Sequence, residues 1–414
     1  MSGTPLAVLD LLPVSDGETA GDALRNTVDL ARRAEELGYR RYWFAEHHLN
    51  PGVLGASPAV AIALVAGKTS TIRLGSAGVQ FGHRTPLSVA EEFGLIDALH
   101  PGRIDLGLGR SIGRPAPRPA PQPADAARPK REPEREPAPA GARTAAAAAA
   151  SAYAANRGTG AHSTETRADN GLLIPKAFDF TTLLGTPRIE LHLSLLQQPN
   201  AYTPDYAEQI GELLDLLGGS YRSADGLEAH AYPGEGANVE VWVLGASGGV
   251  SATVAGSRGL PFAASYHHSP STVLDAVDAY RAAFRPSATL AEPYVSVSAD
   301  AVVADDDETA QRNASGYGLW VRSIRTGAGA IRFPSPEQAA AHVWTDADRE
   351  LVADRTRTQL VGSPSTVADR LEQLREATGA DELAITTITH RHADRVRSYE
   401  LLAQEWRRRQ SRAA

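Results

Sequence analysis

Three polar side chains follow directly on an apolar run near the start of the chain. The run is Tyr42-Trp43-Phe44-Ala45, and Glu46, His47 and His48 come after it. One carboxylate and two imidazoles can accept, donate or transfer protons near neutral pH. An apolar run that ends in such groups is typical of the C-terminal end of a buried strand, where the active sites of α/β barrels lie. The segment therefore predicts the floor of an active site.

The same three side chains do not predict a metal site. Adjacent residues of a strand point to opposite faces. The imidazoles of His47 and His48 would therefore not converge with Glu46 on one ion, as a tetrahedral site requires. Cys, the other frequent ligand of such sites, is absent from the chain. We predict no metal.

Apolar runs alternate with helical patterns along most of the chain, which is typical of βα units with parallel strands. A segment at 189–196 is predicted to be extended, outside this series. Eight βα units predict one α/β domain over residues 1–414, a (β/α)8 TIM barrel. The eight predicted strands cover residues 6–12, 41–46, 72–80, 103–108, 239–244, 261–265, 294–303 and 382–387.

Low-complexity sequence interrupts the pattern after the fourth strand. Residues 115–139 contain nine prolines, residues 145–150 are six alanines, and a polar stretch continues to residue 170. Such a segment has little apolar surface to bury and does not order by itself. We predict a flexible insertion at 112–170 within the barrel domain. A proline-rich docking motif for a partner is the alternative.

Composition narrows the class of protein. The 414 residues carry a net charge of −8 and no Cys. The acidic balance disfavours nucleic acid or an anionic membrane as a partner. There is no basic, apolar leader at the N-terminus and no apolar run of about 18 residues, so we expect neither a signal peptide nor a membrane span. The absence of Cys fits a reducing compartment, and we expect a cytoplasmic protein.

Several motifs resemble those of the bacterial-luciferase-like flavin-dependent oxidoreductases, in the single-chain luciferase-like monooxygenase group. They occur in the order and at the barrel positions that this family uses, and the resemblance covers the chain except for about 112–170. The motifs are Ala45-Glu46-His47-His48 and the stretches at 72–79, 84–87, 100–110, 241–249, 362–364 and 386–390.

The resemblance implies an FMN phosphate site after the fourth and fifth strands. A glycine-rich turn between a strand and a helix can point backbone amides at an anion. Arg110, after the fourth strand, would supply a fixed cation. Ser251 is a candidate second hydroxyl, because this chain has glycine and valine where relatives usually carry another hydroxyl. The turn is Gly245-Ala246-Ser247-Gly248-Gly249.

The resemblance also indicates which residues contact the flavin ring and which one is the acid/base group. Ser76, Ala77 and Gly78 are small enough for close approach of the ring, and relatives carry a non-prolyl cis peptide there, which we expect at Ser76–Ala77. His47 matches the imidazole that relatives use near the flavin. Asp10 interrupts the first strand, His83 lies near the third βα loop, and His267 follows the sixth strand. All three are candidates for the substrate pocket.

The function that the resemblance implies is monooxygenation. Reduced FMN would come from a separate NAD(P)H:flavin reductase, and oxygen would add at the flavin C4a to give a peroxyflavin that oxidises a small organic substrate. Relatives are often dimers, so a homodimer is possible. One alternative is hydride transfer with F420 on the same fold. The other is a non-catalytic flavin-binding barrel with a proline-rich docking insert.

Overall fold

A computed structural model describes residues 3–111, 164–183, 186–198 and 201–413. Most of the predicted insertion, 112–163, lies outside these residues. Its predicted last part, 164–170, is not a plain linker. Strand Thr166–Arg167 pairs antiparallel with Leu173–Ile174 and begins a short hairpin.

Eight parallel strands form a closed barrel, which confirms the predicted TIM barrel. Each strand pairs with the next, and the circle closes where Leu6 of the first strand lies beside Leu383 of the last. All eight strands therefore end at the same face. The strands are β1 (Leu6–Asp10), β2 (Arg41–Phe44), β3 (Arg73–Ser76), β4 (Ile104–Gly109), β5 (Glu240–Gly245), β6 (Phe262–Ser265), β7 (Val295–Val303) and β8 (Glu382–Thr386).

Helices surround the barrel and bury their apolar sides against it. Additional helices lie in the connection between β7 and β8. The helices are α1 (Ala20–Glu36), α2 (Pro58–Ala66), α3 (Pro86–Leu99), α4 (Pro187–Leu196), α5 (Tyr206–Gly218), α6 (Val250–Ser257), α7 (Val273–Ala283), α8 (Asp307–Ala314), α9 (Tyr317–Arg325), α10 (Pro336–Ala341), α11 (Asp346–Thr358), α12 (Pro364–Thr378) and α13 (His392–Ala413). None of these described helices is long and apolar enough to cross a membrane.

Two predicted elements differ from the structure. The segment 189–196, predicted to be extended, belongs to α4, which begins with Pro187 at its first position. Pro is favoured there because its fixed φ suits a helix and its missing N–H is not needed. The predicted third strand is split in two, since β3 ends at Ser76 and only Val79–Gln80 continues the pairing.

A network of buried charges fills the barrel near the start of its strands. Arg41 donates to both oxygens of Glu382 at 3.0–3.1 Å, to Asp105 at 2.9 Å and to Glu240 at 3.3 Å. The indole of Trp43 donates to the same Asp105 at 2.8 Å. These bonds offset the desolvation of the buried charges and tie β2 to strands across the interior.

Candidate functional site

A cavity of about 540 Å³ opens where the barrel strands end. Its size lies within the usual range of small-molecule sites, about 300–1,000 Å³. The predicted site residues on its wall are His47, Ala77, Gly78, Arg110, Gly245, Ala246, Ser247 and His267. These residues come from the ends of five strands, β2 to β6, and the cavity gives them one location.

His47 faces this cavity from the end of β2. Its backbone N–H is fixed by Gly55 O at 2.7 Å, while its imidazole makes no hydrogen bond to a described residue. Burial, with smaller contributions from His48 and His192, lowers the pKa of His47 to about 4. The ring is therefore neutral at pH 7 and offers one N–H donor and one acceptor nitrogen to a bound molecule.

Glu46, His48 and His83 form a separate cluster that does not line the cavity. Glu46 Oε1 lies 2.8 Å from His48 Nε2 and 3.3 Å from His83 Nε2, and Glu46 Oε2 accepts from the Gln80 backbone N–H. Burial opposes ionisation of Glu46, but these hydrogen bonds and the Arg84 guanidinium outweigh it and lower its pKa to about 2. The predicted pocket residue His83 is thus held by Glu46.

These three ligand atoms lie within 4.8 Å of one another, so the cluster has the residue types of a cation site. The Arg84 guanidinium lies 3.6 Å from Glu46 Oε1 and would repel a cation there. Two imidazole N–H donors to one carboxylate oxygen account for the observed distances. We therefore interpret the cluster as a hydrogen-bonded support for the loop that follows β3.

The floor of the cavity is made of small residues. Ala77 and Gly78 line it, and the non-prolyl cis peptide joins these two residues, not Ser76 and Ala77 as predicted. Ser76 does not line the cavity. Its hydroxyl accepts a hydrogen bond from the Gly107 N–H at 2.9 Å and donates one to Gly107 O at 2.8 Å. A Cβ on Gly78 would lie 2.8 Å from Gly109 N, so the floor is closely packed.

The cavity wall also contains the guanidinium of Arg110. Arg110 follows β4 and forms no ion pair with a described residue, although Asp205 is near enough to favour its charge. Burial lowers the pKa of Arg110. A partly desolvated guanidinium of this kind is suited to a bound anion.

Only part of the glycine-rich turn after β5 lines the cavity. Gly245, Ala246 and Ser247 line the cavity, as does Ser251 of α6. Gly248 and Gly249 are not on its wall. A Cβ on Gly248 would lie 2.9 Å from Asp275 O of α7, so this glycine permits close helix packing. Gly249 is the N-cap residue of α6.

The two remaining predicted pocket residues, His267 and Asp10, lie in different places. His267 lies on the wall, where its Nδ1 is 2.6 Å from Ser298 Oγ, and burial, then the neighbouring Arg355, lowers its pKa well below the ordinary value. Asp10 is fully buried away from the cavity. Its carboxylate accepts from Tyr42 Oη at 2.5 Å and from Arg395 at 2.6 Å. Asp10 thus joins β1, β2 and α13.

A large part of the wall could not be predicted from the sequence. It comes from α9, α11 and the segment that follows the insertion, all remote in sequence from the strand ends. The guanidinium carbon of Arg325 lies 4.2 Å from the centroid of the Phe178 ring. The Phe180 ring stacks on that of His268 with centroids 5.5 Å apart. These further wall residues include Phe178, Phe180, Trp320, Val321, Ile324, Arg325, Asp354 and Arg355.

Curated proteins of similar sequence extend over nearly the whole chain. The uncharacterized protein YvbT of Bacillus subtilis is 33% identical over 98% of both chains. A protein of Escherichia coli named luciferase-like monooxygenase is 29% identical over 95% of both. A shorter match, 49% identical over 106 residues, is to the N-acetyl-S-alkylcysteine monooxygenase of Bacillus subtilis. It covers 26% of this chain and 32% of that protein.

Solved structures of similar fold include apo-MsnO8, at 27% identity and a TM-score of 0.71 over 98% of both chains. Two more distant ones share the fold alone. An oxygenating constituent of 3,6-diketocamphane monooxygenase in complex with FMN is 19% identical, covers 98% of both chains and has a TM-score of 0.51. An F420-dependent secondary alcohol dehydrogenase is 11% identical, covers 97% of this chain and 99% of its own, and has a TM-score of 0.55.

The family model for luciferase-like monooxygenases matches residues 5–134 and 196–382. This match includes β1 to β7, the start of β8, and most of the strand-end segments that form the cavity. The chain belongs to the luciferase-like monooxygenase family.

Proposed function

We propose that this protein is a monooxygenase that binds reduced FMN in the cavity and oxidises a small organic substrate with O2. The observation that carries the proposal is Arg110. It is a cavity-lining guanidinium without an ion pair to a described residue, and it adjoins strand ends that also present Ala77 and Gly78. Membership of the luciferase-like monooxygenase family supports the same reaction class.

The residues present fit a flavin phosphate and ring. Arg110 would bind the phosphate, with Ser247, Ser251 and backbone amides at the start of α6 as hydrogen-bonding partners. Ala77 and Gly78 would lie against the flat ring, because both are small and line the floor of the cavity. Reduced FMN, when bound, would supply two electrons to O2, so that one oxygen atom would enter the substrate and the other would leave as water.

His47 would hold a proton beside the reacting atoms. Its imidazole faces the cavity and is neutral at pH 7, so one ring nitrogen donates and the other accepts. The cavity walls would exclude water from the reaction, and Phe178, Phe180 and Trp320 contribute large apolar surfaces to them. Thioethers are among the candidate substrates, because one relative is named for an S-alkylcysteine.

The supply of reduced FMN is a further part of the proposal. The sequence has no dinucleotide-binding fingerprint of the Rossmann type, in which glycines between a strand and a helix hold a pyrophosphate. A separate NAD(P)H:flavin reductase would then provide the reduced flavin.

We also propose that the protein forms a homodimer in the cytoplasm. Helices α2 and α3 expose large apolar side chains, with Leu64 53% and Leu99 77% accessible, together with Val60 and Leu95. Neighbouring exposed apolar residues of this kind mark an interaction surface. A second copy of the chain could cover it through a twofold axis, which is the commonest arrangement in soluble oligomers.

Titration of the full chain with FMN and with F420, oxidised and reduced, tests the cofactor. The reduced complex is then mixed with O2 in a stopped-flow spectrometer in the presence of candidate thioethers, and products are identified by mass spectrometry. We expect FMN binding and transfer of one ¹⁸O atom from ¹⁸O₂ to a product. Binding of F420 and not FMN, with hydride transfer and no oxygen incorporation, would replace monooxygenation with the deazaflavin reaction. Flavin binding without turnover of any candidate would favour the non-catalytic barrel.

A further inference from the structure

Two arginines of the cavity wall, Arg325 on α9 and Arg355 on α11, differ in their partners. Arg325 Nη2 donates to Asp354 Oδ2 at 2.6 Å, and its Nη1 donates to Asp354 Oδ1 and to Leu351 O. The charge and the hydrogen-bonding capacity of Arg325 are thus directed to the protein. A new ligand would have to displace Asp354 to pair with it.

Arg355 has far fewer bonds. Its side chain makes one hydrogen bond to a described residue, from Nη2 to Tyr317 Oη at 2.7 Å. Arg355 Nη2 also forms an ion pair with Asp300 Oδ2, but at 3.7 Å this pair is beyond hydrogen-bond distance and uses no N–H donor. Arg355 Nε is buried and without a partner among the described residues, and the residue is only 6% exposed. A guanidinium has five N–H donors, so most of them are unused.

The surroundings of Arg355 limit what could bind it. Arg355, His267 and His47 all line the same cavity. The adjoining wall from α9 is apolar at Trp320 and Ile324. A molecule in this part of the cavity would therefore have an apolar body beside α9 and an acceptor group at Arg355. The planar guanidinium is matched best by a carboxylate, which can accept two parallel N–H bonds.

We propose that Arg355 binds a carboxylate of the substrate, and that the substrate class is a small apolar molecule carrying one carboxylate. The assignment of this molecule as the substrate depends on the proposed monooxygenase function. The anion site itself does not. With its carboxylate at Arg355, such a molecule lies in the cavity that His47 also faces. The bond between the guanidinium and the carboxylate fixes its orientation.

The test compares acids with amides of the same shape. Phenylacetate, 3-phenylpropionate and 4-phenylbutyrate, each with its primary amide, are titrated into the full chain by isothermal calorimetry, with and without FMN. We expect at least one acid to bind ten-fold or more tightly than its amide. Arg355→Met should remove this preference. Arg355→Lys should keep part of it, because lysine retains the positive charge but lacks the two parallel N–H donors of the guanidinium. Arg349→Met, at an exposed guanidinium on the same helix, should leave the preference intact.

The wild-type comparison requires no variant, and circular dichroism and a thermal melt establish that each variant is folded. Equal affinity for acids and amides, or no binding of any acid, would overturn the anion site. So would a folded Arg355→Met that keeps the acid preference. Loss of FMN affinity in Arg355→Met without any acid preference in the wild type would assign the guanidinium to the flavin instead. A protein that prefers acids but binds no FMN would retain the anion site and refute the proposed function.

Discussion

His47 and His48 are neighbours in sequence, yet their imidazoles serve different parts of the structure. The His47 ring faces the cavity, whereas His48 Nε2 lies 2.8 Å from Glu46 Oε1 outside the cavity wall. One imidazole is therefore available to a bound molecule, and the other belongs to the cluster that supports the loop after β3.

This separation predicts different effects of the two substitutions. His47→Ala should lower the turnover number by about 10²- to 10⁴-fold, the usual contribution of a positioned acid/base group. His48→Gln should lower it by far less, because that ring contacts Glu46. Turnover is measured as oxygenated product formed under saturating reduced FMN and O2. Similar rates for the wild type and His47→Ala would remove His47 from the reaction.

Arg110→Ala should weaken FMN binding by about 1.5–3 kcal/mol, the range of a hydrogen bond to a charged group. This corresponds to a roughly 10- to 150-fold rise in Kd, measured by quenching of flavin fluorescence. Riboflavin, which lacks the phosphate, should bind the variant and the wild type equally. Arg222→Ala, at an exposed ion pair with Glu228, is the control. An unchanged Kd for FMN in Arg110→Ala would place the phosphate elsewhere.

Arg41→Met should destabilise the fold by about 3–5 kcal/mol, because it removes the buried cation that Asp105 and Glu382 share. Glu382 then keeps only the longer pair with Arg40, at 3.6 Å, and Asp105 keeps its pair with Arg73. Urea denaturation followed by circular dichroism measures the free energy of unfolding. Arg25→Met, at an exposed pair with Asp22, should have little effect, since such surface pairs contribute little. Equal stability of Arg41→Met and wild type would mean that the buried network is not needed for stability.

Asp300 should make stability fall as pH rises from about 4 to 6. Burial raises the pKa of this carboxyl to about 6, although Arg355 and Tyr317 oppose the shift. In this range the folded state holds more protons than the unfolded state, so raising pH favours unfolding. The two-unit shift corresponds to about 2–3 kcal/mol. Asp300→Asn should therefore gain stability relative to wild type between pH 4 and 7, as seen in urea denaturation at each pH. A difference that does not change with pH would contradict this.

Leu64→Glu should convert a dimer to a monomer, because the exposed apolar face of α2 and α3 could no longer be covered by a second copy. Light scattering coupled to size-exclusion chromatography would show the mass fall from two chains to one. Leu227→Glu, at a 70% exposed leucine away from these helices, should leave the mass unchanged. A wild-type protein that is monomeric at all concentrations would refute the proposed dimer.

Local patterns in the sequence determined the barrel and much of its catalytic face. Apolar runs with short connections specify parallel strands and crossover helices, and parallel strands all end at one face. For this reason His47, Arg110 and His267 could be assigned to one site before any contact was known, and all three line the cavity. The family motifs added a cis peptide to this picture, but misplaced it by one residue.

Only the tertiary structure decided which polar side chains remain available to a ligand. Asp10 and His83 lie near strand ends, as His47 does, but both are bound within the protein. Arg395 donates to the Asp10 carboxylate, and Glu46 pairs with the His83 ring. Neither partner can be identified from the spacing of residues in the sequence. Arg355 belongs to a helix about 300 residues from His47, and no local pattern relates the two. Its exposure to the cavity depends on how α9 and α11 pack over the barrel. Long-range packing and partner geometry therefore set the chemistry of a site whose location the sequence already indicated.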